Sequence, residues 1–252
     1  MTAREGTRHV AWDPGARGPM SAIVVRPRAE RGYTDFGWLQ TYQSFSFGRY
    51  YDPAHRQYSA LRVLNEDRVA GGAGFSMHEH HDAEILTFVL SGTLRHEDDL
   101  GHREEMGPGD CQRISAGAGV KHSEVNVSFL EPVHLIQVWL LPNVAGVTPS
   151  YDKRRFEPEP GRTTRLIASH DGRDGSMVIQ QDATVTFVRL ASDEAVTLPI
   201  DPARRAYVHV ATGVAMVSGH ELVSGDALMI EDAQAIAIQA DPKAELLVFD
   251  LP

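Results

Sequence analysis

The chain has almost no cysteine and no surplus of basic residues, and both shortages limit what it can be. Cys111 is the single cysteine among 252 residues, so an internal disulfide framework is excluded. Twenty-four Lys and Arg stand against thirty-four Asp and Glu, which gives a formal net charge of −10. Because so acidic a chain is not attracted nonspecifically to nucleic-acid phosphates, we expect no direct nucleic-acid binding.

Long apolar runs are also missing. The first fifteen residues contain no apolar core of the length that a secretory signal requires, and no run is long enough for a membrane helix. The longest apolar run, residues 133–141, fits a buried strand. We therefore predict no membrane partner and a cytoplasmic location. Cys111 lies in the short strand pattern CQRI and is interpreted as a small buried hydrophobic residue rather than a redox group.

The sequence is rich in short strand patterns that are separated by turn residues. After Glu84 the run ILTFVL ends at Ser91-Gly92, and TLRHED returns, which predicts a hairpin. Proline, glycine and mixed charges interrupt the pattern over residues 142–162. Seven more strand patterns follow, separated by turns such as SHDGRDGS, ATG and SGD. The sequence predicts an all-β protein with two domains in tandem, residues 1–145 and 146–252, and the strand spacing is typical of a small closed barrel or a sandwich.

Two short motifs carry most of the predicted chemistry, an H-x-H pair at His78 and His80 and an H-x-E pair at His122 and Glu124. Residues two apart on a strand point to the same face, so each pair presents two ligand atoms together. Seven of the twelve histidines fall between His78 and His134. Three imidazoles and a carboxylate suit Fe, Mn, Co, Ni, Cu or Zn, and they leave coordination positions for water, substrate or O2.

The spacing of these residues resembles the two motifs of the cupin superfamily. The first motif is matched by Gly72, His78, His80 and Glu84, and the ends of the second by Gly109, Asp110, His122 and Asn126. Ser115 stands where the usual proline is found, and the gap from there to the histidine is two residues longer than in germin-like cupins.

The departures from that pattern point to one family within the superfamily. The segments FSMHEHHDAEILTFVLSGTLRHEDDLGH, GPGDCQRISAGAGVKHSE and GVTPSYDKRRF resemble pirins, in particular the bacterial quercetinase-type pirins, and weaker similarity extends over most of the chain. The resemblance implies two cupin-type barrels in tandem, a bicupin. It also implies one divalent metal per chain, with iron as the expected metal. The implied ligands, all in the first domain, are His78, His80, His122 and Glu124.

Glu84 is the residue on which two patterns disagree. In germin-type cupins the glutamate at this position is itself a ligand, whereas the pirin pattern takes its carboxylate from Glu124. Under the pirin pattern Glu84 orients an imidazole N–H or is a solvated charge at a strand edge. By alternation His81 faces away from the site, and His96 and His102 are expected to be exposed loop histidines near its mouth.

An aromatic segment, residues 38–51, has two interpretations. Phe45, Phe47, Tyr50 and Tyr51 could form the wall of a pocket for a planar ring, but the favoured interpretation is that they pack on the barrel exterior or between the domains. Two arginines of the same region, Arg49 and Arg56, are expected to be solvated. In the second domain His209 and His220 lack a paired ligand, so that domain is predicted to hold no metal.

The expected chemistry is oxidation of a small planar phenol or enol by O2. An open metal position can bind the acidic oxygen, and Glu124 is the candidate general base that accepts its proton. The pirin resemblance implies 2,3-dioxygenation of a flavonol such as quercetin with loss of carbon monoxide. Two alternatives stay open, a redox-sensing regulatory protein with a protein partner and a metal-dependent isomerase or hydrolase.

Overall fold

A computed structural model describes residues 23–156 and 161–252 of the chain. The amino-terminal segment, in which no leader sequence was predicted, and residues 157–160 of the predicted linker lie outside the described residues. Within the described ranges the only helices are two single 3-10 turns, Arg28–Glu30 and Arg173–Gly175. Neither has the length or the apolar character of a membrane-spanning helix.

Twenty strands make up the rest of the regular structure in the described residues, so the predicted all-β class is confirmed. In chain order they are β1 Ile23–Arg26, β2 Gly32–Asp35, β3 Leu39–Gln43, β4 Leu61–Val69, β5 Gly74–His80, β6 Glu84–Ser91, β7 Leu94–Asp98, β8 Arg103–Met106, β9 Asp110–Ser115, β10 Val120–Asn126, β11 Val133–Leu140, β12 Ser150–Arg155, β13 Thr164–Ser169, β14 Met177–Val178, β15 Thr184–Leu190, β16 Ala195–Pro199, β17 Arg205–Val217, β18 His220–Val223, β19 Ala227–Glu231 and β20 Ala235–Leu251.

The first domain is built from two sheets that pack face to face. One has seven strands in the order β12-β9-β6-β11-β4-β3-β2, and the other has four in the order β5-β10-β7-β8. The predicted hairpin of β6 and β7 is therefore divided between the sheets, and the strands do not close into one continuous barrel. The space between the two sheets holds the inward side chains of both.

The second domain contains a nine-stranded sheet whose main path runs β1-β19-β17-β20-β15-β13-β14, with β16 on β20 and β18 on β17. Two pairs of predicted strands are continuous here, since β17 spans both AYVHVA and VAMVS and β20 spans AIAIQA and ELLVFDL. The predicted ATG turn is wrong. Gly213 has a φ of 85° within β17, and a Cβ there would lie 2.0 Å from the Lys243 carbonyl oxygen, so glycine forms a bulge rather than a turn.

The domain boundary predicted between residues 145 and 146 stays a prediction. Two strands each pair with the domain on the other side of that boundary. β1, at the start of the described residues, pairs antiparallel with β19 of the second domain. β12, which follows residue 146, pairs antiparallel with β9 of the first. Each domain therefore borrows one edge strand from the other side of the division.

The two domains meet at an apolar seam that follows from strand alternation. Leu86 and Phe88 of β6 point toward the second domain, while Thr87 between them points into the first. Phe88 lies 4.9 Å from Phe187, measured between ring centroids. The interdomain seam is the single buried cluster that contains these residues together with Phe45, Tyr58, Tyr207, Phe249 and their neighbours.

Candidate metal and substrate site

The pairing of β5 with β10 brings three histidines together inside the first domain. His122 lies opposite His78 in the antiparallel register, and His80 follows on the same face. The candidate ligand atoms of His78, His80 and His122, here called the histidine triad, all lie within 4.8 Å of one another. Gly74 lets the strands approach, because a Cβ there would be 2.2 Å from the Glu124 carbonyl oxygen.

The triad presents nitrogen atoms in the form that metals bind. His78 Nδ1 lies 2.7 Å from the Ser76 carbonyl oxygen and donates to it, which leaves Nε2 as the free lone pair. His122 Nε2 is buried without a hydrogen-bond partner in the described part of the chain. Burial, together with the neighbouring imidazoles, lowers the pKa of His80 and of His122 to about 3. Neutral, unpaired imidazoles fit a divalent metal.

Glu124 lies on the same face of β10, and three side-chain donors fix its carboxylate. Gln112 Nε2 donates to Oε1 at 2.6 Å and Thr87 Oγ1 at 3.1 Å, while Gln137 Nε2 donates to Oε2 at 2.8 Å. Glu124 is 1% exposed, so these bonds replace the water that the carboxylate loses on burial. Its carboxylate oxygen falls within 4.8 Å of ligand atoms of His122 and His96.

His96 was predicted to be an exposed loop histidine, and this is wrong. It lies on β7, directly opposite Glu124 of β10, and is fully buried. Its Nε2 lies 3.0 Å from Asp98 Oδ2 and its Nδ1 lies 3.3 Å from His122 Nδ1. Tyr151 stacks on its ring at 4.5 Å between centroids. The H-x-D pair of HED, two positions apart on a strand, is the signal that could have revealed it.

The line from Asp98 through His96 to His122 fixes where each proton lies. When the Asp98 carboxylate accepts from His96 Nε2–H, His96 Nδ1 carries a lone pair and accepts from His122 Nδ1–H. His122 Nε2 is then the lone pair that faces the other two histidines. Asp98 is itself held by the backbone N–H of His102, at 2.9 Å from Oδ1. As expected, His102 is partly exposed, and so is His81.

Glu84 lies on the opposite face of its strand from the site. It shares the seam side of β6 with Leu86, whereas Thr87 reaches Glu124. It is not solvated, since it is 1% exposed and accepts a 2.5 Å hydrogen bond from Ser115 Oγ. Burial raises the pKa of Glu84. The serine that departs from the usual cupin pattern is thus the partner of the glutamate that faces away from the histidine triad.

A cavity of about 330 Å³ opens onto the triad between the two sheets. Aromatic rings make its walls: Trp139 contacts His80 at 4.8 Å and Phe47 at 5.3 Å between ring centroids, and Trp38 contacts Phe75 at 5.2 Å. The lining residues are Phe36, Trp38, Leu39, Thr41, Gln43, Phe47, Gly48, Arg49, Asn65, Asp67, Phe75, His78, His80, Glu124, Gln137 and Trp139. Such a shape suits a flat ring that reaches the triad with one edge.

The aromatic segment divides between both of its interpretations. Phe47 lines the cavity, whereas Phe45 packs in the seam 5.6 Å from Tyr207. Tyr50 donates to Asp52 Oδ2 at 3.2 Å, and Tyr51 is exposed. The two arginines of the region are exposed as expected, but the guanidinium of Arg49 also lies 4.9 Å over the Phe36 ring at the cavity mouth.

Several polar residues of the cavity were missed from sequence. Apart from His134 near its start, Gln137 is the single polar residue in the apolar strand β11. An isolated polar residue in such a strand could have indicated a position that faces the site. Asp67 is 3% exposed in β4. Burial, reinforced by the negative charge of Glu124, raises the pKa of Asp67 to about 7. Nothing in the charged-looking run NED marks its last residue as buried.

The lone histidines of the second domain lie apart from the triad. His209 is fully buried on the seam face of β17, where burial lowers its pKa to about 3. Near it Glu66 accepts from Arg31 Nη1 and pairs with His134 Nε2, both at 3.1 Å. Burial acts to raise the pKa of Glu66, but these two partners lower it to about 2.

Cys111 is buried as expected, and burial raises its pKa.

Family models match both halves of the chain. Residues 24–140 match the model described as Pirin, and residues 166–251 match the one described as Quercetinase C-terminal cupin domain. Over 230 residues the chain is 43% identical to quercetin 2,3-dioxygenase from Escherichia coli K12, which covers 91% of this chain and 99% of that protein.

Solved structures agree with these matches. The crystal structure of the bacterial pirin YhhW from Escherichia coli in complex with nickel(II) has a TM-score of 0.87 and 43% identity, covering 91% of this chain and 99% of that one. A quercetin 2,3-dioxygenase from Acinetobacter baumannii, at 20% identity, has a TM-score of 0.72 and covers 90% of this chain and 85% of that one. The second likeness shows the shared two-domain cupin fold.

Proposed function

Because this chain belongs to the pirin family, with its two-domain cupin fold, we propose that it is a metal-dependent dioxygenase that opens a flavonol such as quercetin. The observation that carries the proposal is the meeting of the histidine triad and Glu124 with an aromatic-walled cavity. The relative named quercetin 2,3-dioxygenase supports the substrate class.

The proposed metal ligands are His78, His80, His122 and Glu124, with one divalent metal per chain. Iron is the proposed native metal, and the nickel complex of YhhW shows that a relative accepts another divalent ion. A metal held by these residues would supply Lewis acidity that lowers the pKa of an enol or phenol oxygen in the cavity. The unpaired His122 Nε2 is the feature of this chain that a metal would satisfy.

Glu124 is the proposed general base. It accepts the proton of the substrate's enol hydroxyl, while the amide donors of Gln112 and Gln137 hold the carboxylate in place. The rings of Trp139 and Phe47 hold the planar substrate and exclude water from it. The resulting electron-rich enolate reacts with O2, both oxygen atoms enter the product, and the ring opens with loss of carbon monoxide.

An oxygen electrode tests this proposal. The purified chain is loaded separately with Fe, Ni or Mn, its metal content is measured, and quercetin is added while headspace carbon monoxide is recorded. We expect O2 uptake and carbon monoxide release in equal amounts. The same metal without protein and the metal-free chain control for spontaneous oxidation of the flavonol. Full metal occupancy with bound quercetin and no O2 uptake would overturn the dioxygenase and favour the regulatory alternative.

A further inference from the structure

The cavity contains a second polar surface that the proposed chemistry does not use. Gln43 of β3 and Asn65 of β4 are paired across the two strands, and Asp67 follows two positions after Asn65 on the same inward face. These three residues, here called the acceptor patch, are each at most 4% exposed. They lie on the seven-stranded sheet, opposite the four-stranded sheet that supplies the histidine triad.

Two of the three patch residues have a side-chain oxygen without a hydrogen-bond partner. Gln43 Oε1 and Asn65 Oδ1 are buried, and no described residue donates to them. Asp67 Oδ1 is buried beside them, and the Thr41 hydroxyl opposite it on β3 acts as a hydrogen-bond donor to Asp67. Buried polar atoms are almost always paired, because an unpaired one forfeits its hydration for nothing. Two unpaired acceptors side by side in one cavity, next to a buried carboxyl group, therefore indicate that donors from an occupant complete them.

We propose that the acceptor patch binds hydroxyl groups on the edge of a polyhydroxylated planar ring whose opposite edge faces the histidine triad. The inference rests on the proposed function for the position of the reacting edge. Hydroxyl groups are the fitting class because each supplies one O–H donor, whereas an ether, a methyl group or a halogen supplies none. The patch thus selects polyphenols over flat rings that lack peripheral hydroxyls.

The aromatic walls supply affinity that does not distinguish such ligands. Trp38, Phe47 and Trp139 contact any flat ring of suitable size. A site built to bind a hydroxyl rejects the analogue without it, since the acceptors are then buried and unpaired. Selection between hydroxylated and bare rings therefore depends on the patch and not on the walls.

Anaerobic binding of two probes to the metal-loaded protein tests the patch. Quercetin and 3-hydroxyflavone share the flavonol ring and its reacting 3-hydroxyl, but 3-hydroxyflavone lacks the peripheral hydroxyls. Quenching of tryptophan fluorescence gives both Kd values without turnover. We expect quercetin to bind the parent about ten- to hundredfold more tightly, and we expect this ratio to fall to about one to threefold in the double variant Gln43→Met, Asn65→Leu.

Gln40→Met is the matched control, since Gln40 lies on the same strand with an exposed side chain. It should leave the ratio unchanged. Gln43→Met alone should give an intermediate ratio without lowering the Tm of the ligand-free protein, because an unpaired polar group is replaced by an apolar one of similar size. A clear fall in Tm would show that Gln43 is already paired and would overturn the patch.

The two proposals fail in different ways. Equal Kd values for both probes in the parent overturn the patch, whatever the oxygen electrode records, and mean that water alone occupies these positions. A parent that prefers quercetin, loses that preference in the double variant and never consumes O2 supports the patch and overturns the dioxygenase.

Discussion

Both domains are built from β-strands, but the interior of the first is lined with polar and titratable side chains and the interior of the second with aliphatic ones. In the second domain the inward positions of β17 are Ala206, Val208 and Val210, within one continuous aliphatic cluster. In the first domain the apolar side chains form two smaller clusters, and the histidine triad, Glu124 and the acceptor patch lie in the same interior. Strand alternation sets which positions point inward in both, and residue type decides whether the interior is a core or a site.

The difference suggests a division of labour. Buried unpaired oxygens and neutral imidazoles lower the stability of the first domain, and the second domain adds a packed aliphatic interior and one side of the seam. The first domain can hold a polar site in its interior because the apolar packing of the second domain and of the seam stabilises the fold.

The largest expected effect comes from removing a triad residue. His78→Ala, His80→Ala and His122→Ala should each reduce bound metal from about one per chain to near zero, since a site of four donors depends on each of them. Elemental analysis of the purified variants measures it. His220→Ala and His209→Ala should keep the stoichiometry near one. Two metals per parent chain, with one lost in either of these last variants, would erase the distinction between the domains.

The two carboxylates lie on opposite sides of β6, since Glu124 accepts from Thr87 on the site face and Glu84 is on the seam face. Glu124→Gln keeps the shape but removes the basic charge, so turnover should fall by on the order of a hundredfold. Glu84→Gln should change turnover far less, because Glu84 lies on the seam side with Ser115. Steady-state O2 uptake at matched metal content gives both rates. A larger loss of turnover in Glu84→Gln than in Glu124→Gln would favour the germin pattern, in which Glu84 is the metal ligand.

The buried pair His96 and Asp98 should affect metal binding through His122. Asp98→Asn removes the negative charge and exchanges one acceptor oxygen for an NH2 donor, so the His96 tautomer is no longer fixed, and we expect metal affinity to weaken by about ten- to hundredfold. Competition with a chelator measures the affinity, independently of activity. Asp99→Asn, the next residue on the loop, is the control. Unchanged affinity in Asp98→Asn would show that His122 needs no such partner.

The smallest expected effect concerns the seam. The pKa of Glu66 is about 2, below its ordinary value of 4.5, so its contribution to stability is present above pH 4.5 and is lost as the pH falls toward 2. Glu66→Gln should therefore lower the free energy of unfolding at pH 7 and flatten its dependence on pH in that acidic window. Urea unfolding across the window measures both. A parallel pH profile in the variant would contradict the assignment.

Sequence reasoning found what depends on local spacing. The H-x-H and H-x-E pairs, the Gly-Asp turns and the apolar run of β11 are all visible within a few residues. It placed His96 and Glu84 wrongly because burial of a charged or titratable side chain depends on which distant strand covers it. Ser115 and Asp98 supply those partners here.

The same limit applies to the second domain. Gly213 looks like a turn residue, but β20 lies alongside and keeps β17 extended through it. The acceptor patch needed the register between β3 and β4, which no pattern within either strand specifies. Residue type predicted the elements, and long-range pairing decided their lengths and neighbours.

The pairing of β1 with β19 has a consequence for how the chain folds during synthesis. Ile23 lies opposite Ile230, so the edge strand of the second domain leaves the ribosome long before its partner exists. The first domain can assemble most of its sheets while β1 waits without a hydrogen-bonded neighbour. The last step is then closure of a loop that contains nearly the whole protein, and the carboxyl-terminal half made alone would present β19 as an open edge prone to association.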